Sequence, residues 1–147
     1  MSVLVYTESE KGTFKKVALE VASYAKAVAN QLGTTVTAVT INANDTSELG
    51  KYGVDKVLNV NNSQLDTFNA QAYAKVLKQA AENENAKVVI VSSSADSKYL
   101  APLLAVGLDA GFASNVVEAP TITKKMSTAK KATIALMVIS LALLISQ

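Results

Sequence analysis

VLVYTESEKGTFKKVALEVASYAKAVANQLG, from Val3 to Gly33, is the stretch on which the fold turns. It opens with Val3-Leu4-Val5, a continuous apolar run of the kind found in strands covered on both faces. A polar loop containing Gly12 follows, and then Val17, Val21, Tyr24, Ala25, Val28 and Leu32 recur at spacings of three and four. That spacing draws one apolar stripe along a helix, and Gly33 stops it. The same alternation continues outward. Thr34–Ile41 is rich in β-branched residues and reads as a second strand. Asp45, Thr46 and Ser47 offer caps to a short helix ending near Gly50 or Gly53, and Lys56–Val60 is a third strand. Tyr73, Val76, Leu77, Ala80 and Ala81 mark a helix, and Val88-Val89-Ile90-Val91 is the clearest central strand in the chain. Leu100, Leu103, Leu104 and Leu108 outline a further helix, with Pro102 expected near its first turn and Gly111 at its end. Ala113–Val117 then begins another extended segment. Strands separated by helical crossovers pair in parallel with right-handed connections. The expected fold is therefore α/β: a doubly wound, mainly parallel five-stranded sheet with helices on both faces, nucleotide-binding-like, plus extra C-terminal strands.

At 147 residues the chain predicts a single domain over 1–147, with 120–147 as a C-terminal strand segment. It has no Cys, which excludes disulfides, thiolate metal sites and thiol nucleophiles. It has no His, which excludes His-based triads and imidazole metal sites. All 14 basic residues are Lys, so the planar guanidinium fork is missing. A formal charge of +2 is too small to argue for nucleic acid or an anionic membrane. Glu8 and Glu10 follow the first strand where a secretory signal would stay apolar, and the expected location is cytoplasmic. Ala132–Gln147 runs sixteen residues without a charge. A membrane span needs about 20 apolar residues. This shorter, β-branched run is expected to form two short strands meeting near Ser140, not an anchor.

Ligands of open parallel sheets bind at the C-terminal strand ends where the strand order switches. The first and fourth strands are the expected central pair, which points to Thr7–Thr13 and Ser92–Lys98. In the second loop Ser93, Ser94, Asp96 and Ser97 could present hydroxyls and a helix N-terminus to an anion, with Lys98 adding charge. The simpler reading is that Ser94, Asp96 or Ser97 caps a helix. No glycine-rich phosphate loop occurs, and the expected set holds no catalytic residue and no metal ligand. Glu8 and Glu10 read as a solvated turn, Asp45 and Glu48 as helix-start residues, and Lys124-Lys125 and Lys130-Lys131 as solvated strand ends.

Taken in order, three segments resemble the N-terminal domain of the electron transfer flavoprotein alpha subunit. They are Val3–Gly33, then ELGKYGVDKVLNV (Glu48–Val60), then AYAKVLKQAAENENAKVVIVSSSADSKYLAPLLAVGLDAGFASNVVEA (Ala72–Ala119). From Val3 to Ala119 they span about four fifths of the chain. The resemblance implies a heterodimer with an electron transfer flavoprotein beta subunit, carrying electrons from flavin dehydrogenases. It implies a docking scaffold that is not itself an enzyme. FAD would belong to a separate C-terminal domain of the full-length family member, so this chain reads as a truncated N-terminal domain holding no cofactor. Where the family has a Gly-Arg pair this chain has Ser97-Lys98, and Leu103 stands where a second Arg is usual. Asn115 replaces a usual aspartate. The alternative from the residues themselves is a small adenine-nucleotide-binding domain using the two switch-point loops.

Overall fold

The computed structural model describes residues 2–92, 94–108, 111–116 and 135–139. β1 (Ser2–Tyr6) leads through a small hairpin, β2 (Ser9–Glu10) and β3 (Thr13–Phe14), into α1 (Lys16–Leu32) and β4 (Thr35–Ile41). A 3-10 turn at Ser47–Tyr52 precedes β5 (Lys56–Val60), and α2 (Ala70–Asn83) leads to β6 (Ala86–Ser92). α3 (Ala95–Leu108), β7 (Gly111–Val116) and β8 (Ala135–Ile139) follow. Among the described residues six strands pair in one sheet in the order β5-β4-β1-β6-β8-β7, and every pairing in it is parallel. The α/β class and parallel sheet expected from the alternation are what the backbone forms. The C-terminal strand is not an appendage: β8 lies between β6 and β7. The lysine pairs at 124–125 and 130–131, and the expected turn at Ser140, fall outside the described residues.

The apolar runs are continuous because both faces of the sheet are covered. Val3, Val5, Val36, Ala38, Val88 and Ile90 pack against the stripe of α1 and against Leu49 of the 3-10 turn. Their alternate neighbours Leu4, Tyr6, Val39, Ile41, Val89 and Val91 pack against α2 and α3. α1 ends in a paired closure at Gly33, whose φ is 66°. The Gly33 N–H reaches the Asn30 carbonyl at 3.3 Å and the Thr34 N–H reaches Ala29 at 3.0 Å.

α3 corrects two expectations. It starts at Ala95, so Pro102 lies in the helix interior rather than its first turn. Pro102 is exposed, which leaves the carbonyl it cannot serve open to water. Leu103 does not join the buried stripe. Leu100, Ala101, Leu104, Ala105 and Leu108 do, while Leu103 is 41% exposed.

Candidate functional site

The strand order reverses between β1 and β6. After β1 the chain moves to β4 on one side and later returns to β6 on the other. The loops that follow β1 and β6 therefore open a crevice at the C-terminal edge of the sheet. The loop after β1 is tied down on its β4 side. The Thr7 N–H and hydroxyl both donate to the Val39 carbonyl, at 3.0 and 3.2 Å, and the Ser9 hydroxyl donates to Ile41 at 2.8 Å.

This anchoring turns Glu8 inward. It is 4% exposed, so the expectation of a solvated turn is wrong for Glu8. One carboxylate oxygen, Oε1, accepts hydroxyl protons from Ser92 at 3.0 Å, Ser94 at 2.5 Å and Ser97 at 2.6 Å. The other, Oε2, faces Lys15 Nζ at 3.5 Å. A buried carboxylate demands such donors, because leaving it unpaired carries a large desolvation penalty. The serine run supplies them from the far side of the crevice.

Ser94 and Ser97 thus converge, with Ser92, on a carboxylate of the same chain. Ser94 also does the capping expected of it: its hydroxyl accepts from the Ser97 N–H at 3.2 Å, and its carbonyl accepts from the Lys98 N–H at 3.1 Å. Asp96 makes no hydrogen bond to the cluster among the described residues and lines a neighbouring cleft. Lys98 is exposed and does not line that cleft. Ser93 lies outside the described residues. Glu8 as organiser is what reasoning from the chain alone missed. The usable signal was an acidic residue two places past one central strand facing a serine run just past the other.

The cleft beside the cluster has a volume of about 320 Å³. Its walls include Tyr6, Phe68 and Tyr73 with the carboxylates of Glu8, Glu10, Asp66 and Asp96, against Lys11 and Lys15. The rings meet edge to face, Tyr6 to Tyr73 at 6.4 Å between centroids and Phe68 to Tyr73 at 5.0 Å. Burial pushes the Tyr6 phenol well above its ordinary value, and the charges of Glu8 and Asp96 add to the shift. Tyr73 moves the same way, through burial and then Asp96 and Asp66. Its hydroxyl donates to the Leu65 carbonyl. Across the loops after β4 and β5, Asn42 acts as a clamp. Its Nδ2 donates to Asn62 O and Asp66 Oδ1, and its Oδ1 accepts from the Asn62 N–H, each at 2.8 Å.

Chemically the crevice repels anions. The hydroxyls that would bind a phosphate already serve Glu8, and three further carboxylates line the adjoining space. Among the described residues no group of three or more His, Cys, Asp or Glu side chains is arranged to hold a metal ion. On the outer side of α3, Tyr99, Leu103 and Val106 are 71%, 41% and 82% exposed, the large apolar side chains left uncovered among the described residues. Their spacings of four and three place them on one side of the helix. No helix among the described residues is long and apolar enough to cross a membrane.

Comparison with known proteins finds a match to the electron transfer flavoprotein domain family over residues 3–141. The chain is 29% identical over 116 residues to the electron transfer flavoprotein subunit alpha of Clostridium acetobutylicum, covering 77% of this chain and 34% of that protein. It is 29% identical over 115 residues to Protein FixB of Clostridium saccharobutylicum, with the same two coverages. Against the electron transfer flavoprotein subunit alpha of Bacillus subtilis the identity is 38% over 71 residues, covering 48% of this chain and 22% of that protein. The chain thus spans about a third or less of the length of these relatives.

Proposed function

This chain belongs to the electron transfer flavoprotein domain family, and from that membership we propose that it is the partner-docking domain of an alpha-type subunit. Its partner would be an electron transfer flavoprotein beta subunit, and the assembly would carry electrons delivered by flavin dehydrogenases. The domain itself performs no chemistry. We read 1–147 as one domain whose 120–147 segment completes the sheet, and the strand-order reversal at β1 and β6 supports a doubly wound fold. FAD would be held by other parts of the full-length subunit, and the assembly would work in the cytoplasm.

The observation that carries this reading is the row Tyr99, Leu103 and Val106. A helix that buries Leu100, Leu104 and Leu108 inward and still offers large apolar side chains outward is built to be covered twice. The adenine-nucleotide alternative finds less support, because Glu8 already occupies the serine hydroxyls on which it depends.

Co-expression with a beta-type subunit and light scattering after gel filtration test the proposal. A one-to-one complex is expected, weakened by Val106→Lys, with the chain alone free of flavin absorbance. A chain that stays alone, or one that retains stoichiometric flavin through gel filtration, overturns it.

A further inference from the structure

The cleft beside the serine cluster carries four carboxylates, from Glu8, Glu10, Asp66 and Asp96, against the two cations of Lys11 and Lys15. Lys15 is engaged by Glu8 through Oε2, and Lys11 stands exposed at the hairpin tip with no ion pair among the described residues. Asp96, half-buried at the start of α3, has neither an ion pair nor a side-chain hydrogen bond there. Its charge is nevertheless felt by both Tyr6 and Tyr73. Asp66 spends one oxygen on Asn42 and adds a second negative charge near Tyr73.

A separate observation concerns Tyr6. Its side chain is 5% exposed and lines the cleft, and its hydroxyl has no hydrogen-bond partner among the described residues. Tyr73, packed against it, satisfies its own hydroxyl on Leu65. The ring is buried while the residue borders the open space, so an unpaired phenol oxygen there marks where a donor would sit. Aromatic faces, unpaired carboxylates and a free acceptor oxygen together suit one kind of ligand. A guanidinium group can stack on a ring while donating in plane to carboxylate and phenol oxygens.

We propose that the cleft bounded by Tyr6, Phe68, Tyr73, Asp66 and Asp96 is a binding site for an alkyl-guanidinium group. Two sources can supply the group, a free small molecule or an arginine side chain of a partner; the chain has no arginine of its own to fill the site. Tyr99, Leu103 and Val106 do not line the cleft, and the site does not depend on the docking reading.

Titration of the full chain with agmatine, followed by amide chemical shifts in NMR, tests it. Saturable shifts are expected at residues around the cleft, with butylurea and butylamine, which both lack the guanidinium, producing none. Asp96→Asn should weaken agmatine about tenfold, the loss of one charge-assisted contact. Tyr6→Phe should weaken it several-fold with Tm held, and Lys98→Ala should leave it unchanged. Absence of saturation, equal shifts with butylurea or butylamine, or full affinity in Asp96→Asn overturns the site. A second arm asks whether agmatine displaces a bound beta-type subunit. Displacement assigns the group to the partner's side chain, and simultaneous binding assigns it to a free molecule. Failure of the subunit to bind leaves the agmatine result standing, so the two readings fail separately.

Discussion

Glu8 gathers three serine hydroxyls and one lysine onto a single buried carboxylate. Glu8→Ala removes the shared acceptor of Ser92, Ser94 and Ser97, of which Ser92 and Ser97 are buried. Stability should fall by about 1–3 kcal/mol, read from urea unfolding, and Glu8→Gln, which keeps an oxygen, should lose less. An unchanged midpoint in Glu8→Ala would show that the cluster is not satisfied through Glu8. Gly12 is a second position sensitive to substitution. Its φ is 85°, and an added Cβ would come within 2.2 Å of the Asn44 side chain. Gly12→Ala should cost about 1 kcal/mol or more by the same measurement. The tyrosines set the alkaline limit. Tyr6 and Tyr73 have raised values in the fold, and Tyr24 is pushed up to about 12 by burial. An unfolded phenol releases its proton near pH 10, so above that pH the unfolded state binds fewer protons and is favoured. Stability should therefore hold below about pH 10 and fall above it. Tyr6→Phe should flatten the fall, and phenolate absorbance should report it.

At the scale of elements, α3 is the informative case. Its interior proline is exposed and lies outside the buried stripe. Pro102→Ala restores a helical hydrogen bond and should raise stability by up to about 3 kcal/mol, visible as a higher Tm. A lower Tm would mean that Pro102 fixes the helix in a way its exposure does not show. In α2, by contrast, the buried face is decisive. Leu77 is fully enclosed between the sheet and α3, and Leu77→Ala should cost about 2–5 kcal/mol in denaturant unfolding. The cap of α2 is local and simple: Asn69 Oδ1 accepts from the Ala72 N–H at 3.0 Å.

For the whole molecule, β8 matters most. Because it sits between β6 and β7, its loss would unpair β7 and expose a full edge of β6. Deleting 132–147 should therefore yield insoluble protein, or protein with a markedly lower unfolding midpoint, in sedimentation and thermal assays. Full stability after the deletion would show that the pairing of β8 contributes nothing. The same topology explains how residues 84 to 89 positions apart, Glu8 and its three serines, come to share a proton-donor network.

Local pattern determined a good part of this protein. The continuous runs at Val3–Val5 and Val88–Val91, the stripe of α1 and its glycine stop are all written within single segments, because burial on two faces and helical period act over neighbouring residues. The switch-point loops were legible too, since Val3–Val5 and Val88–Val91 both read as strands covered on two faces and the loops follow them directly. What the chain alone did not disclose depends on distant partners. Whether Glu8 meets water or serine hydroxyls is decided by the approach of two loops across the sheet, and a short acidic segment has no local mark of that approach. Leu103 shares the period of a buried stripe, yet the direction from which the sheet approaches α3 leaves it outside. The insertion of β8 between β6 and β7, and the gathering of Tyr6, Phe68, Tyr73 and Asp96 around one cleft, were likewise tertiary decisions. Each is a matter of which surfaces remain once every strand has found its neighbour.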